Sequence, residues 1–531
     1  MANPIDSFIQ RIPVEILLSF FSECVPPPTR DSPGPAVSYS HPLIVLSHVS
    51  RTWRELVLET PALWSRMHVQ APSASTFSKD SLEMCSVKAD RSRGALKTWV
   101  ERSAEQPLTI VLDLPSSPRT QVKTEAWSRQ ICADTLAELF LCASRWKHLH
   151  INLSVVSSGP LFIQACDSLL ANEPSKLEFL AIDLTSAGAS PMMIDSVRDA
   201  LAAGRLFSGP SLRRVKLEGR WIMNHRLKAA IQGWAPLTNL EISPSHLNVG
   251  VTHFGVSNLP YLFKAFPLLQ TAKFLFHKAD LHPRLSTLPN QSSSPVSSHY
   301  TLGALFLVFN TNQSSGRFGM PLDYGECILE FLQRFGAQLT SFGLNHDILP
   351  AGPFPSCLHM LDNARLESLS LINESFPQRQ TEPGPFSSIL RGDQDCRVLA
   401  HLAKPGVFPR LKHLEMSARN HLENKKCEAA LVDVIAARRN MAQSKDQCNQ
   451  GTDVCSGVGY EAENVDTQLN GTTPIENVHV TFTWPRGLGV IQELRDRGVD
   501  LTSGPFSIRL NYPESCGVMV ERTLGSRAYS G

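Results

Sequence analysis

His148 and His150 stand two residues apart, and they are the nearest approach to a ligand pair in this sequence. On a strand they would share one face. A zinc site needs three or four ligands, and no third or fourth follows at a matching spacing. They read as surface histidines. Cys427, Cys448 and Cys455 fall in one region at non-standard spacings, and none of the 12 cysteines forms a C-x-x-C pair. The sequence has no H-E-x-x-H, no phosphate-binding G-x-x-x-x-G-K-[ST], no G-x-S-x-G and no G-x-G-x-x-G. Each of these motifs carries a defined chemistry through fixed ligand or backbone geometry, and none of those chemistries is supported. No catalytic residue, metal or cofactor is assigned, and the chain is not expected to be an enzyme. An α/β enzyme with an unrecognised site is the alternative.

The composition narrows the classes further. The 531 residues carry 50 Lys and Arg against 49 Asp and Glu, a formal net charge of +1. That balance gives no basic excess for nucleic-acid binding, and the Arg438-Arg439 pair is too short to make a patch. No run of 18 apolar residues occurs, so no membrane span is expected. The start, Met1-Ala-Asn-Pro-Ile-Asp, lacks the charged and apolar regions of a secretory signal. With sparse, irregular cysteines, the expected location is the cytosol or nucleus, with thiols reduced. Five N-x-[ST] sequons, at Asn152, Asn290, Asn312, Asn373 and Asn470, then read as chance matches.

The elements that could position a site divide the chain by texture. Residues 8–68 are dense in apolar and aromatic side chains, interrupted by a Pro- and Ser-rich insertion over 25–41. Residues 71–93 are polar and read as a linker. Residues 94–513 alternate strand-like and helix-like segments, with a polar stretch at about 440–473 that reads as a disordered insertion. Residues 514–531 read as a tail.

Within the long region an L-x-x-L-x-L pattern recurs. Its central residues are Leu149, Leu180, Val215, Leu240, Ala272, Leu305, Phe342, Leu369, Leu414 and Val478. Their spacings run from 25 to 45 residues, with 64 before the last. Several copies follow a turn residue, such as Pro210, Pro236, Pro267 or Pro409. Helical segments fit between them at 161–171, 192–203 and 324–336. A turn, a short strand and a helix form the unit of a leucine-rich solenoid, in which each unit covers the next. The fold expected is therefore α/β: a small helical domain followed by an irregular leucine-rich-repeat solenoid. An ordinary α/β domain with parallel strands is the alternative.

The first region is the most informative. Ile12-Pro13-Val14-Glu15 opens a helix, with Glu15 in the first turn where it favours the helix dipole. Ile16 and Phe20, and Leu17 and Phe21, occupy adjoining i, i+4 rows, so this helix is apolar nearly all round and needs two neighbours. Leu43, Leu46, Val49, Trp53 and Leu56 follow helical spacing, and Thr60-Pro61 marks a break. One apolar face can pack internally; the other meets either a partner or the repeats that follow.

These residues resemble the F-box family. The opening Ile12-Pro13-Val14-Glu15-Ile16-Leu17 is similar to its Leu/Ile-Pro-x-Glu start. Leu46-Ser47-His48-Val49-Ser50-Arg51-Thr52-Trp53 is similar to its L-x-x-(V/S)-C-(R/K)-x-W block, and Pro61-Ala62-Leu63-Trp64 to its P-x-L-W end. Ile12 replaces the usual Leu, Ser50 replaces the usual Cys, and the 25–41 insertion is longer than the family's. The segments that follow resemble fungal, basidiomycete-like F-box proteins with irregular leucine-rich repeats.

The resemblance implies a substrate adaptor of an SCF-type cullin–RING ubiquitin ligase. The F-box would dock on the Skp-family linker, and through it a cullin, while the repeats capture a target protein. Ile12, Pro13, Glu15, Ile16, Leu17, Phe20, Leu46 and Val49 are the expected linker contacts, and Trp53 and Trp64 the expected F-box core. If the repeat leucines point inward, the alternating residues point out. His150, Lys216, Glu241, Lys273, Phe306 and His413 are then the expected target contacts, the alternative for each being ordinary surface. A scaffold working outside a ligase would share every one of these features.

Overall fold

A computed structural model describes residues 12–25, 35–71, 82–114, 122–154, 159–167, 174–185, 191–243, 259–277, 302–310, 328–344, 353–371, 392–450 and 473–525, apart from short gaps inside several of these spans. The chain divides into two compact units. The first holds residues 1–254 and 261–269, and the second 255–260 and 270–531.

The first unit opens with four short helices: α1 (Val14–Cys24), α2 (Pro42–Ser47), α3 (Arg51–Glu59) and α4 (Pro61–Trp64). Local chemistry sets their ends. The Pro13 carbonyl accepts from the amides of Ile16 and Leu17 at 3.1 Å each and so starts α1. His41 Nδ1 accepts from the Leu43 amide at 3.2 Å, with Pro42 at the first helical position of α2. Ser50 Oγ accepts from the Trp53 amide at 3.1 Å, a side-chain cap that satisfies one of the orphan amides of α3. The Thr60-Pro61 break ends α3 and places Pro61 first in α4.

Beyond α4 the unit alternates strand and helix: β1 (Arg66–Gln70), α5 (Leu82–Arg102), β2 (Leu108–Leu114), α6 (Val122–Leu141), β3 (Trp146–Ser154), α7 (Gly159–Asp167), β4 (Phe179–Thr185), α8 (Pro191–Ala203), β5 (Arg214–Glu218), α9 (His225–Ile231) and β6 (Asn239–Ser243). A helix, α10 (Leu259–Ala265), follows β6. β1 to β6 pair in parallel, each with its neighbour in the chain. Two apolar rows run across the sheet in register: Met67, Ile110, Leu149, Leu180, Val215, Leu240, and Val69, Leu112, Ile151, Ile182, Leu217, Ile242. All twelve are buried, together with Leu96 and Trp99 of α5, Phe140 of α6, Phe162 of α7 and Val197 of α8.

The second unit repeats the arrangement. Its elements are β7 (Thr271–His277), β8 (Ala304–Asn310), β9 (Ser341–Leu344), α11 (Pro353–Asp362), β10 (Ser368–Leu371), α12 (Gly392–Leu402), β11 (His413–Ala418), α13 (Asn424–Gln450), β12 (Asn477–Phe482), α14 (Val490–Asp496), β13 (Ser507–Pro513) and β14 (Met519–Gly525). β7 to β13 are parallel in chain order, and β14 lies antiparallel to β13. Its buried row runs Ala272, Leu305, Phe342, Leu369, Leu414, Val478 and Ile508. Arg438 of α13 is buried too, donating through Nη1 to the Phe408 carbonyl at 2.6 Å and through Nη2 to that of Val407. Its neighbour Arg439 lies with its guanidinium 4.5 Å from the Phe506 ring. The dibasic pair is a packing device inside the unit, not a surface patch.

All ten central residues of the recurring pattern lie in strands, from Leu149 in β3 to Val478 in β12, and each is 2% exposed or less. The helical segment expected at 324–336 lies largely outside the described residues. Three boundaries need correction. The linker expected over 71–93 contains the first half of α5, because Leu82–Arg102 is rich in good helix formers and is anchored by Ala89, Leu96 and Trp99. Its polar texture is the solvent side of that helix. The disordered insertion expected at about 440–473 overlaps α13, which runs to Gln450. The buried turns around Leu431, Val432 and Ile435 nucleate that helix, and the Ala-, Lys- and Gln-containing stretch after them propagates it. Residues 451–472 lie outside the described residues. The tail expected at 514–531 contains β14, whose short M-V-E-R-T-L-G run pairs with β13.

Candidate functional site

The helices α1 to α4 bury one set of apolar side chains and expose another. Phe21, Leu43, Val57 and Trp64 are fully enclosed. Trp53 packs edge-on to Phe21 at 5.0 Å between ring centres. The Trp64 indole donates to the Val57 carbonyl at 2.7 Å and meets Trp99 of α5 edge-on at 4.7 Å. Arg102 sits 4.6 Å over the Trp64 ring, and His41 lies 5.0 Å from Trp99. The junction between the helical region and α5 is thus an aromatic cluster, not a tether.

On the outside, Ile16 is 59% exposed, Phe20 52%, Val45 57% and Val49 52%. Ile16 and Phe20 share one face of α1, four residues apart. Pro13 and Glu15 are also exposed, and Ile12 is half-buried. Two expected contacts turn out otherwise. Leu17 and Leu46 are buried, 5% and 9% exposed, because they face the other helices and complete the small core. They support the surface rather than form it.

The insertion also has a structural role. The Val37 amide donates to the His68 carbonyl at 2.9 Å, and Ala36 bridges His68 in parallel. This end of the insertion covers the edge of β1 left free by β2. An uncovered parallel edge would present a row of unpaired backbone groups.

The outward face of the sheets carries the expected target contacts in altered form. His150 is 7% exposed and therefore not a surface contact. Its position in register between Val111 and Ala181 places it mid-sheet. Lys216 and Glu241 are bonded to each other at 3.2 Å, and Lys216 also meets Glu218 at 3.1 Å. Both are half-buried, as is Lys273. Phe306 lies across Gly343, the residue paired with it on β9, so its ring covers the sheet instead of projecting from it. His413 Nδ1 accepts from the Asn477 Nδ2 amide at 2.8 Å. Beside these, Asp113 receives His68 Nε2 at 2.7 Å and the Asn152 amide. Burial alone would raise the Asp113 carboxyl, but these two bonds outweigh it and hold it below the usual carboxylate value.

The residues that sequence reasoning passed over are Phe179, Arg213 and Arg214 at the start of β4 and β5. Their relation to His148 depends on the register between strands 31 and 35 residues apart, which no local pattern encodes. Among the described residues no group of three or more His, Cys, Asp or Glu side chains could hold a metal ion. Cys427 is buried within α13, and Cys455 lies outside the described residues.

A family model described as F-box-like matches residues 9–70. The N-terminal helical region is an F-box-like domain, and its matched span ends with β1, the first strand of the sheet. No curated protein matches the chain.

Proposed function

We propose that the protein is a substrate-recognition adaptor of an SCF-type cullin–RING ubiquitin ligase, acting in the cytosol or nucleus. F-box-like domains generally bind Skp-family linker proteins and serve as adaptors rather than enzymes. The observation that carries the reading is the face formed by Ile16, Phe20, Val45 and Val49 on the F-box-like helices, all four more than half exposed. Covering the exposed half of a side chain such as Phe20 or Ile16 contributes about 1 kcal/mol, and a few central anchors can carry most of the docking energy. Pro13, Glu15 and half-buried Ile12 would flank them. The strand–helix units, paired in chain order, are read as an irregular leucine-rich-repeat solenoid whose outward sheet face captures the target. The adaptor would raise the concentration of target lysines near the ubiquitin-loaded enzyme.

The test is co-expression of the full chain with the host's Skp-family linker, followed by size-exclusion chromatography. The wild-type chain is expected to co-elute in equal ratio, and Ile16→Asp/Phe20→Asp to elute alone, folded. Failure of the wild-type chain to co-elute would sink the adaptor reading. Co-elution with the linker but exclusion of the cullin would replace it with a scaffold outside a ligase.

A further inference from the structure

Charge is distributed unevenly over the outward sheet face of the first unit. Toward the strand ends carboxylates predominate: Asp113 bonds His68 and Asn152, Glu218 and Glu241 share Lys216, and Asp183 lies in the same row. At the strand starts the balance is reversed. The cations Lys147, Arg213 and Arg214 are set against one carboxylate, Glu178, which lies 3.8 Å from Lys147 Nζ and 3.9 Å from Nε2 of the His148 imidazole. Among the described residues no carboxylate is within ion-pair distance of Arg213 or Arg214. The Arg213 guanidinium bonds its own turn through Nη1, to the carbonyls of Pro210 and Leu212. The Arg214 guanidinium lies 5.2 Å over the Phe179 ring, and its Nη2 is 3.4 Å from His148 Nε2. His148 packs against the same ring at 6.1 Å. Burial, then Arg214 and Lys147, hold the His148 imidazole below its ordinary value, and Glu178 only partly offsets them. The local potential is positive in a chain whose net charge is +1.

We infer that this rim, formed by Lys147, His148, Phe179, Arg213 and Arg214, docks a carboxylate-rich segment of the target protein. The inference rests on the adaptor reading above. The side chains come from the starts of β3 and β5, and the Arg214 guanidinium reaches back across Phe179 to within 3.4 Å of His148 Nε2, so they gather at one rim. Two guanidinium groups without a carboxylate among the described residues suit more than one acidic side chain rather than a single charge. Stacking on Phe179 holds the Arg214 guanidinium flat, with Nη2 toward His148 and its other donors open, so less side-chain freedom is lost on binding. Unmatched positive charge also speeds encounter with an acidic segment and rejects a basic one.

Fluorescence anisotropy of the full chain with three labelled peptides of one length tests this: a Glu-rich peptide, its Gln counterpart and a phosphoserine version of the latter. The Glu-rich peptide is expected to bind, to weaken as salt rises from about 0.1 to 0.5 M, and to lose at least about tenfold with Arg213→Glu/Arg214→Glu. Arg214→Ala, checked for an unchanged melting temperature, is expected to weaken it in the same direction. Equal binding of the Gln peptide, indifference to both variants, or binding of the phosphoserine peptide alone would overturn the proposal. Linker co-elution is measured on the same preparations. Peptide binding lost while the linker is retained by the wild-type chain removes the docking rim only. A wild-type chain that binds the acidic peptide but no linker removes the adaptor reading only.

Discussion

At the scale of single residues, the polar side chains of this protein do structural work that can be read from pH and volume. His41 caps α2 by accepting a hydrogen bond at Nδ1, which requires that nitrogen to be unprotonated. Burial lowers its pKa to about 4. Above the ordinary value of 6.5 both folded and unfolded states hold it neutral, and its burial has no proton-linked cost. As pH falls from 6.5 toward 4 the unfolded state takes up the proton and the folded state does not, so stability is lost. The loss reaches about 3 kcal/mol at the lower limit. His41→Asn keeps a capping acceptor and has no proton to gain. Urea midpoints at neutral pH and near pH 4.5 are expected to fall less for the variant than for wild type, and parallel curves would refute this role. Gly343 offers a second test. A methyl group there would overlap the Phe306 ring. Gly343→Ala is expected to cost about 1–3 kcal/mol by overpacking, and adding Phe306→Ala to recover part of it. Additive costs in thermal melts would show that the two residues do not share that space.

At the scale of elements, the F-box-like helices divide their apolar residues between support and surface. Leu17, Phe21, Leu43, Leu46 and Val57 face inward, while Ile16, Phe20, Val45 and Val49 face out. Ile16→Asp/Phe20→Asp is therefore expected to leave the melting temperature within a few degrees of wild type, because exposed substitutions change stability by only about 0.5 kcal/mol each. Linker co-elution is expected to be lost. A comparable change at Leu17 would unfold the region and could not separate docking from folding. Ser50, where the F-box family usually has Cys, is the cap of α3, so this departure preserves the helix start by a standard side-chain bond. The recurring leucine pattern was legible because alternation along a strand is local, and all ten expected strand centres are buried. α5 was not, because a helix with one short buried stripe and a broad polar face has the composition of a linker until its partner surface is known.

At the scale of the whole molecule, the F-box-like domain and the first sheet are not separable. β1 lies within the matched span and pairs along its length with β2. Trp99 of α5 contacts both His41 and Trp64. A chain beginning at Ala95 would lose β1 and more than half of α5, exposing the edge of β2 and the apolar surface that Met67 and Val69 cover. It is expected to aggregate or to elute in the void volume, whereas the surface variants stay monodisperse. Light scattering of the two preparations checks this, and a well-behaved truncated monomer would show that the sheet folds without its first strand.

The sequence by itself determined the F-box-like region, the strands β3 to β12 with their apolar centres, the Pro61 break and the lack of catalytic motifs. Each depends on residue type and spacing within a few turns of chain. The tertiary structure decided which apolar residues remain outside, that Lys216 is matched by Glu218 and Glu241, that Arg438 is buried, and that Arg214 stacks on Phe179 beside His148. These depend on register between strands separated by tens of residues. A shift of one residue in a strand exchanges its two faces, so composition and local spacing cannot fix them.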